Sequence, residues 1–457
     1  MPFIPHTETD IQQMLSELNI TEISQLFDEI PAELPKTNLD ELADGLSEGG
    51  ITRLIQDREP PRLPGGNFLG AGAYEHHIPA AVWDIASRGE FLTAYTPYQA
   101  EASQGTLQLI YEFQTMMAQL MGMEVANASL YDGASALAEA VLMSLRINSG
   151  GKRIWMPRSL HPAYRQVLQT ILKTHAVLLE ELPYDFESGN VTEEIIAGFD
   201  PQDLAAVIIP QPNFFGILEE SDILTRIAHQ HGALVIAVVN PIAMALLKEP
   251  GSWGERGADI VCGEGQPLGT PLASGGPYFG FMCCRKEFVR QLPGRIVGRT
   301  HDVAGRPGFT LTLQTREQHI RRAKATSNIC TNQGLLVTAA AIYLSLLGAK
   351  GLLSVAAASH HRAGQLQELL AGIAGVQSVF TRPIFHEFVI RLPVPVETVL
   401  PALARQGIQG GFSLTTDYPE LANCLLVCAT DTKTQPDLIR YQQCLAKTIP
   451  SPSQGEG

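Results

Sequence analysis

From about residue 127 onward, short apolar runs alternate with amphipathic ones. "ANASLY" is followed by "ASALAEAVLMSLR", and "RIWM" by "AYRQVLQTILKT". "AVLLEEL" precedes a short helical stretch, and "LAAVIIP" precedes "SDILTRIAHQH". "ALVIAVV", "ADIVC" and the hairpin-like "PYFGFMCC" complete the series. A strand that is apolar throughout must be covered on both faces, and the intervening helices supply the cover. The pattern predicts an α/β fold with a mainly parallel, seven-stranded sheet and helices on both faces. Ligands in such sheets sit beyond the carboxyl ends of the strands.

The flanking segments read differently. Residues 1–65 predict a helical arm, with Thr9 and Gln12 forming a capping box before "IQQMLSEL" and the proline-rich "EPPRLPGG" closing it. The large α/β domain is expected over 66–330. A small α+β domain is expected over 331–448, built from the apolar helix "GLLVTAAAIYLSLLG", from "VQSVFTRPIFHEFVIRLP", from a helical stretch near 396–406 and from "ANCLLVCAT". The tail, 449–457, ends in "PSPSQGEG" and reads as disordered. No uninterrupted apolar run reaches the roughly 20 residues a membrane span needs. The start, "MPFIPHTETD", lacks the basic and apolar regions of a signal peptide, so the cytoplasm is expected.

Charge narrows the partners. A net charge of −15 argues against nucleic acid. Between Arg285 and Ala325, however, ten Lys or Arg face three Asp or Glu, a local +7. Such a belt either receives an anionic partner or is a solvated surface paired locally. The seven cysteines lack paired-ligand spacing, and buried thiols are expected rather than a metal site.

The loop after "ADIVC" carries the chemistry. "GEGQPLGTPLASGGPYFGF", residues 263–281, has the Thr-Pro and Gly-Gly-Pro turns of a loop in which pyridoxal enzymes place their Schiff-base lysine. Here that position is Gln266, whose amide cannot form an imine. "VIAVVNPIA" ends a strand at Asn240, where such enzymes keep an aspartate that holds the ring nitrogen protonated. Asn240 is neutral. In "YDGASALAEA", Asp132, Gly133 and Ala134 open a helix whose N–H groups suit a phosphate, but on this segment alone a routine N-cap at Asp132 and a turn at the glycine are the simpler and preferred reading. Losing both the amine and the anion is a consistent pattern for a chain that does not run the cofactor itself. Lys248 sits in a turn, which leaves Lys324, in "RRAKATSN", as the alternative imine lysine.

Three stretches together resemble the glycine cleavage system P-protein: "YTPYQAEASQGTLQLIYEFQTMM" (95–117), the 263–281 loop and "LQTREQHIRRAKATSNICTNQ" (313–333). The likeness is to the N-terminal half of that enzyme, which some organisms make as a separate chain. The resemblance implies a fold-type I architecture of the kind that binds pyridoxal phosphate (PLP). It implies that PLP is anchored by a homologous second subunit, in a heterodimer paired again into a tetramer. The implied reaction decarboxylates glycine and transfers its aminomethyl group to the lipoyl arm of H-protein. No residue of this chain alone is then catalytic.

Fold-type I sites take groups from two chains, so the resemblance makes Tyr95, Thr96 and Tyr98 contributors to the partner's pocket. Gln99, Glu101, Ser103 and Gln104 either join them or pack the interface. His76 and His77 are adjacent, which suits a loop at the substrate entrance better than a metal. Arg295 and Arg299, held by glycines, are further candidates. Arg316, Arg321 and Arg322 are expected to be solvated or salt-bridged. Two other readings stay open: an independent PLP enzyme using Lys324, and a non-catalytic assembly subunit.

Overall fold

The computed structural model describes residues 5–31, 33–34, 39, 41–59, 64–273 and 276–449. The chain divides into two compact units, Met1–Pro61 and Arg62–Gly457. "PSPSQGEG", read as disordered, lies outside the described residues, as do Ser274 and Gly275 of the 263–281 loop.

In the first unit, helix Glu8–Glu17 is capped by Thr7, not Thr9. The Thr7 hydroxyl accepts from the Asp10 N–H, and the Asp10 carboxylate accepts from the Thr7 N–H at 2.7 Å. Thr7 and Asp10 thus satisfy the donors that Thr9 and Gln12 were expected to serve. Thr9 lies inside the helix, and the Gln12 amide reaches back to Glu8. A 3-10 turn, Ile23–Phe27, and helix Glu48–Arg58 follow.

The second unit is built on a seven-stranded sheet. Its strands are β1 (Val125–Ala126), β2 (Arg153–Pro157), β3 (Leu178–Leu182), β4 (Leu204–Gln211), β5 (Leu234–Val239), β6 (Ile260–Glu264) and β7 (Gly280–Cys284), in the spatial order β1-β7-β6-β5-β4-β2-β3. β2 to β6 pair in parallel, while β7 runs antiparallel to both its neighbours. All eight residues of β4 are buried. In β5 the period-two pleat divides the strand between two cores. Val235, Ala237 and Val239 pack on one face, and Ile236 and Val238 on the other. Helix Gly133–Ile147 supplies much of the second face through Ala136, Leu137, Ala140, Val141 and Met143.

Two smaller sheets complete the unit. A hairpin joins β8 (Ile296–His301) to β9 (Pro307–Thr312). An antiparallel sheet, β10 (Gln377–Ser378), β11 (Glu387–Arg391), β12 (Phe412–Ser413) and β13 (Cys424–Cys428), has the order β10-β11-β13-β12 and its own core. The 38-residue helix Gly334–Ala371 serves both lobes, breaking at Gly348 with φ 58°. Val337, Ala340 and Tyr343 belong to the large core, and Ala363, Leu366 and Leu370 to the small one. By length and composition it is the one helix among the described residues apolar enough to cross a membrane, but half of its apolar window is buried inside the protein.

Candidate functional site

β4, β5 and β6 end on the same side, and the two residues singled out in sequence leave from there. Asn240 follows β5, and Gln266 lies two residues beyond β6. Asn240 joins Gly72, Tyr74, His161, Tyr164 and Glu264 around a cavity of about 70 Å³ at the end of the sheet, and Gln266 is bonded to the lining residue Tyr74. The cavity has room for a few waters.

Gln266 is 1% exposed and fully engaged. Its Oε1 accepts from the Tyr74 N–H at 2.8 Å, and its Nε2 donates to the Tyr74 carbonyl at 2.9 Å and to the Thr270 carbonyl at 2.8 Å. The amide holds one backbone residue from both sides, as a neighbouring strand would. Asn240 lines the cavity but its amide is engaged: its Oδ1 accepts from the Ile242 and Ala243 N–H groups, and its Nδ2 lies 3.3 Å from His386 Nε2.

Two N–H groups of the helix N-terminus are also taken. Asp132 is its N-cap and accepts from the Ser135 N–H at 2.7 Å, which is the plain role considered for it. Glu264 Oε2 accepts from the Gly133 N–H at 2.9 Å. Burial pushes the Glu264 carboxyl up to about 7, partly offset by its backbone N–H donors. A Cβ on Gly133 would overlap the Tyr164 hydroxyl, so the approach to this helix end is closed by a phenol as well.

Tyr74 bridges to the small lobe. Its hydroxyl donates to Glu387 Oε2 at 2.7 Å, and its ring lies 4.3 Å from His386. The Ala71 N–H donates to Glu387 Oε1 at 2.7 Å. Desolvation raises Glu387 to about 7, and burial holds His386 neutral, well below the usual imidazole range. Of the histidine pair, His76 is buried with Nδ1 2.6 Å from Asp431, whereas His77 is exposed and only its N–H meets that carboxylate. Among the described residues no group of three or more His, Cys, Asp or Glu is placed to hold a metal ion.

The second set of sequence candidates lies elsewhere and faces outward. Tyr95 is 84% exposed and Tyr98 49%. Gln99 and Glu101 are exposed, Thr96 and Ser103 half-buried. The structure brings Arg295 to Tyr98: its Nη2 donates to the Tyr98 hydroxyl at 3.2 Å, and its guanidinium lies 5.2 Å from the ring centre. Arg295 is only 4% exposed, and its Nη1 reaches Asn332 Oδ1 at 3.2 Å. His319 meets the Tyr98 ring edge-on at 5.5 Å. Gln104 is a fastener instead. Its Nε2 donates to the Phe309 carbonyl and its Oε1 accepts from the Phe309 N–H, both at 2.9 Å, which ties the start of helix Gln104–Leu120 to β9. Arg299 is exposed on β8.

The basic belt needs one correction. Arg316 is not solvated: it is 9% exposed and donates to the Leu292 and Gly294 carbonyls. The chain makes a 3-10 turn there rather than a surface helix, which aims the guanidinium inward. Lys324 is exposed on a following turn and is not among the residues lining the cavity. Sequence reasoning missed Tyr74, Glu264, His386 and Glu387. A signal was present for the last two, a His-Glu pair inside the apolar run "IFHEFVI".

This arrangement has relatives. The family model "Glycine cleavage system P-protein" matches residues 1–445. The chain belongs to that family. It is 64% identical over 446 residues to a protein of Coxiella burnetii named "Probable glycine dehydrogenase (decarboxylating) subunit 1", covering 97% of this chain and 99% of that one. It is also similar to a solved glycine decarboxylase (P-protein) of the glycine cleavage system in inhibitor-bound form, at 42% identity and a TM-score of 0.87, with 98% and 100% of the two chains covered. A sphingosine-1-phosphate lyase of Burkholderia pseudomallei, 17% identical with a TM-score of 0.64 over 92% of this chain and 93% of that one, shares the fold alone. The fold is that of the type I pyridoxal enzymes.

PLP does not fit the pocket at the end of β4 to β6. Its lining contains no lysine or arginine to meet a phosphate, and His161 is held below the usual imidazole range by burial. Of the helix N–H groups that would serve a phosphate, those of Gly133 and Ser135 already carry Glu264 and Asp132. Asn240 offers no anion to a ring nitrogen.

Proposed function

We propose that this P-protein family chain is the subunit of a two-chain glycine decarboxylase that does not anchor the cofactor. A homologous partner chain supplies the PLP lysine. Together the subunits decarboxylate glycine and pass the aminomethyl group to the lipoyl arm of H-protein, and a cytoplasmic location goes with this reading. The observation that carries it is Gln266 in the lysine's place, with both ends of its amide committed to Tyr74. The name of the Coxiella relative, a "subunit 1", supports a second chain.

In this assignment the chain works from its outer face. Tyr95 and Tyr98 present aromatic surface and hydroxyls to the partner's pocket, and Thr96 adds a hydroxyl beside them. Arg295, anchored by Asn332, fixes the Tyr98 hydroxyl as a hydrogen-bond acceptor and sets the plane of its ring. His76, turned into the small lobe, is not part of that surface.

The test is reconstitution. The isolated chain is expected to show neither cofactor absorbance nor glycine turnover, and both are expected on adding the homologous subunit. Turnover by this chain alone would overturn the assignment. A stable complex whose activity ignored changes at Tyr95 and Tyr98 would favour a scaffold.

A further inference from the structure

We infer that the chain fills its own cofactor pocket: the segment Gly70–His77 is an internal strap that occupies the vestigial site and latches the large lobe to the small one. On the large-lobe side, Gln266 holds Tyr74 through its N–H and its carbonyl, and His161 Nε2 meets the Ala71 carbonyl at 2.9 Å. On the small-lobe side, Glu387 receives the Ala71 N–H and the Tyr74 hydroxyl. Further along, Thr430 donates to the Glu75 carbonyl, Lys433 meets the Glu75 carboxylate at 3.1 Å, and Asp431 holds His76.

The strap's sequence is fitted to this path. A Cβ on Gly70 would strike the Glu387 carboxylate and lie 2.7 Å from Cys428 Cβ. Gly72 has φ +106°, and a Cβ there would lie 2.6 Å from His161 Nε2. Only glycine lets the backbone pass between the two lobes at these points. The carboxyl of Glu264, seated on the Gly133 N–H, closes the remaining anion position. A lysine lost from an open pocket leaves a site that one substitution can repair. Here the space where an imine would stand holds the Tyr74 peptide groups, each matched to Gln266.

The experiment uses the full chain with Gln266→Lys, incubated with PLP, reduced with borohydride and mapped by mass spectrometry. The expected result is no adduct on residue 266 and no cofactor absorbance. A stoichiometric adduct at that position would overturn the inference. Misfolding of the lysine variant is covered by a second measurement, hydrogen exchange on Gln266→Ala. Removing the clamp is expected to speed exchange at the Ala71 and Tyr74 amides by roughly tenfold or more, while amides of β4 stay protected. Unchanged exchange at Tyr74 would equally overturn it. Both outcomes are independent of turnover, so the subunit assignment above stands or falls separately.

Discussion

Two regions at opposite ends of the same logic define this molecule. The pocket beyond β4 to β6 is narrow and lined by Glu264, with Glu387 bonded to its lining residue Tyr74, and burial raises both carboxyls to about 7. The surface around Tyr95 and Tyr98 is open, aromatic and backed by a buried arginine. In the first, the polar groups of Gln266 are spent on the chain's own backbone. In the second, Arg295 Nε, Asn332 Nδ2 and Glu317 Oε1 are buried without a hydrogen-bond partner among the described residues, while the tyrosines above them face out. Imidazole nitrogens of His76 and His386 are also unmatched near the strap. The difference lies in exposure and charge, not in completeness. Under the proposed division of labour, the chain fills one site with its own backbone and keeps an outward rim for another.

The largest expected effect attacks the outward region. Arg295→Ala in the reconstituted two-chain enzyme should lower kcat/KM about a hundredfold, since a charged hydrogen bond and a ring contact are lost together. Assembly should be unchanged by size-exclusion chromatography, and Tyr98→Phe should share part of the loss non-additively. Full activity in Arg295→Ala would remove Tyr98 from the partner's site.

Next in size is the closed region. Gly72→Ala should destabilise the chain by about 1–3 kcal/mol in denaturant unfolding, because the new methyl meets His161 in a backbone conformation that favours glycine. An unchanged midpoint would mean the strap is not packed as described.

The pH dependence sharpens the same point. Burial lifts the Glu387 carboxyl in the folded state to about 7, above its ordinary value of 4.5. The folded state therefore binds the extra proton between those values, and this contribution is full below about 4.5 and lost as pH rises through 7. Glu387→Gln cannot ionise. The variant's stability relative to the parent should then improve from pH 5 to 8 by an amount on the order of 2–3 kcal/mol. His386, kept neutral by burial, acts in the opposite direction below its usual range, but it does so in both proteins and cancels in the difference. A pH-independent gap would contradict a buried, neutral Glu387.

The smallest effect is expected at the hairpin tip. Arg306 is paired with Asp302 at 2.8 Å while its side chain is 81% exposed. Arg306→Ala should change stability by less than about 0.5 kcal/mol in the same unfolding assay.

Much of this was legible in sequence, for reasons that particular residues show. The sheet could be read because β5, and β4 up to its terminal Gln211, are apolar and bounded by helical periods. Gln266 and Asn240 could be read because each departs from an ionisable residue within a local motif. The strap could not. Tyr74 meets Gln266 across 192 residues and Glu387 across 313, and no local pattern encodes such a pairing. Arg316 was misjudged because a run of basic residues looks solvated until the backbone turn that aims one of them inward is known. The N-terminal cap slipped because Thr7 and Thr9 both precede an acceptable partner three residues on, and only the backbone decides between them.

The most direct test of the division of labour is cofactor trapping in the assembled enzyme. The two chains are combined with PLP and glycine, reduced with borohydride, digested and mapped. The expected result is a pyridoxyl label on a lysine of the homologous partner and none on this chain. A label on Lys324, or on any other lysine of this chain, would contradict it.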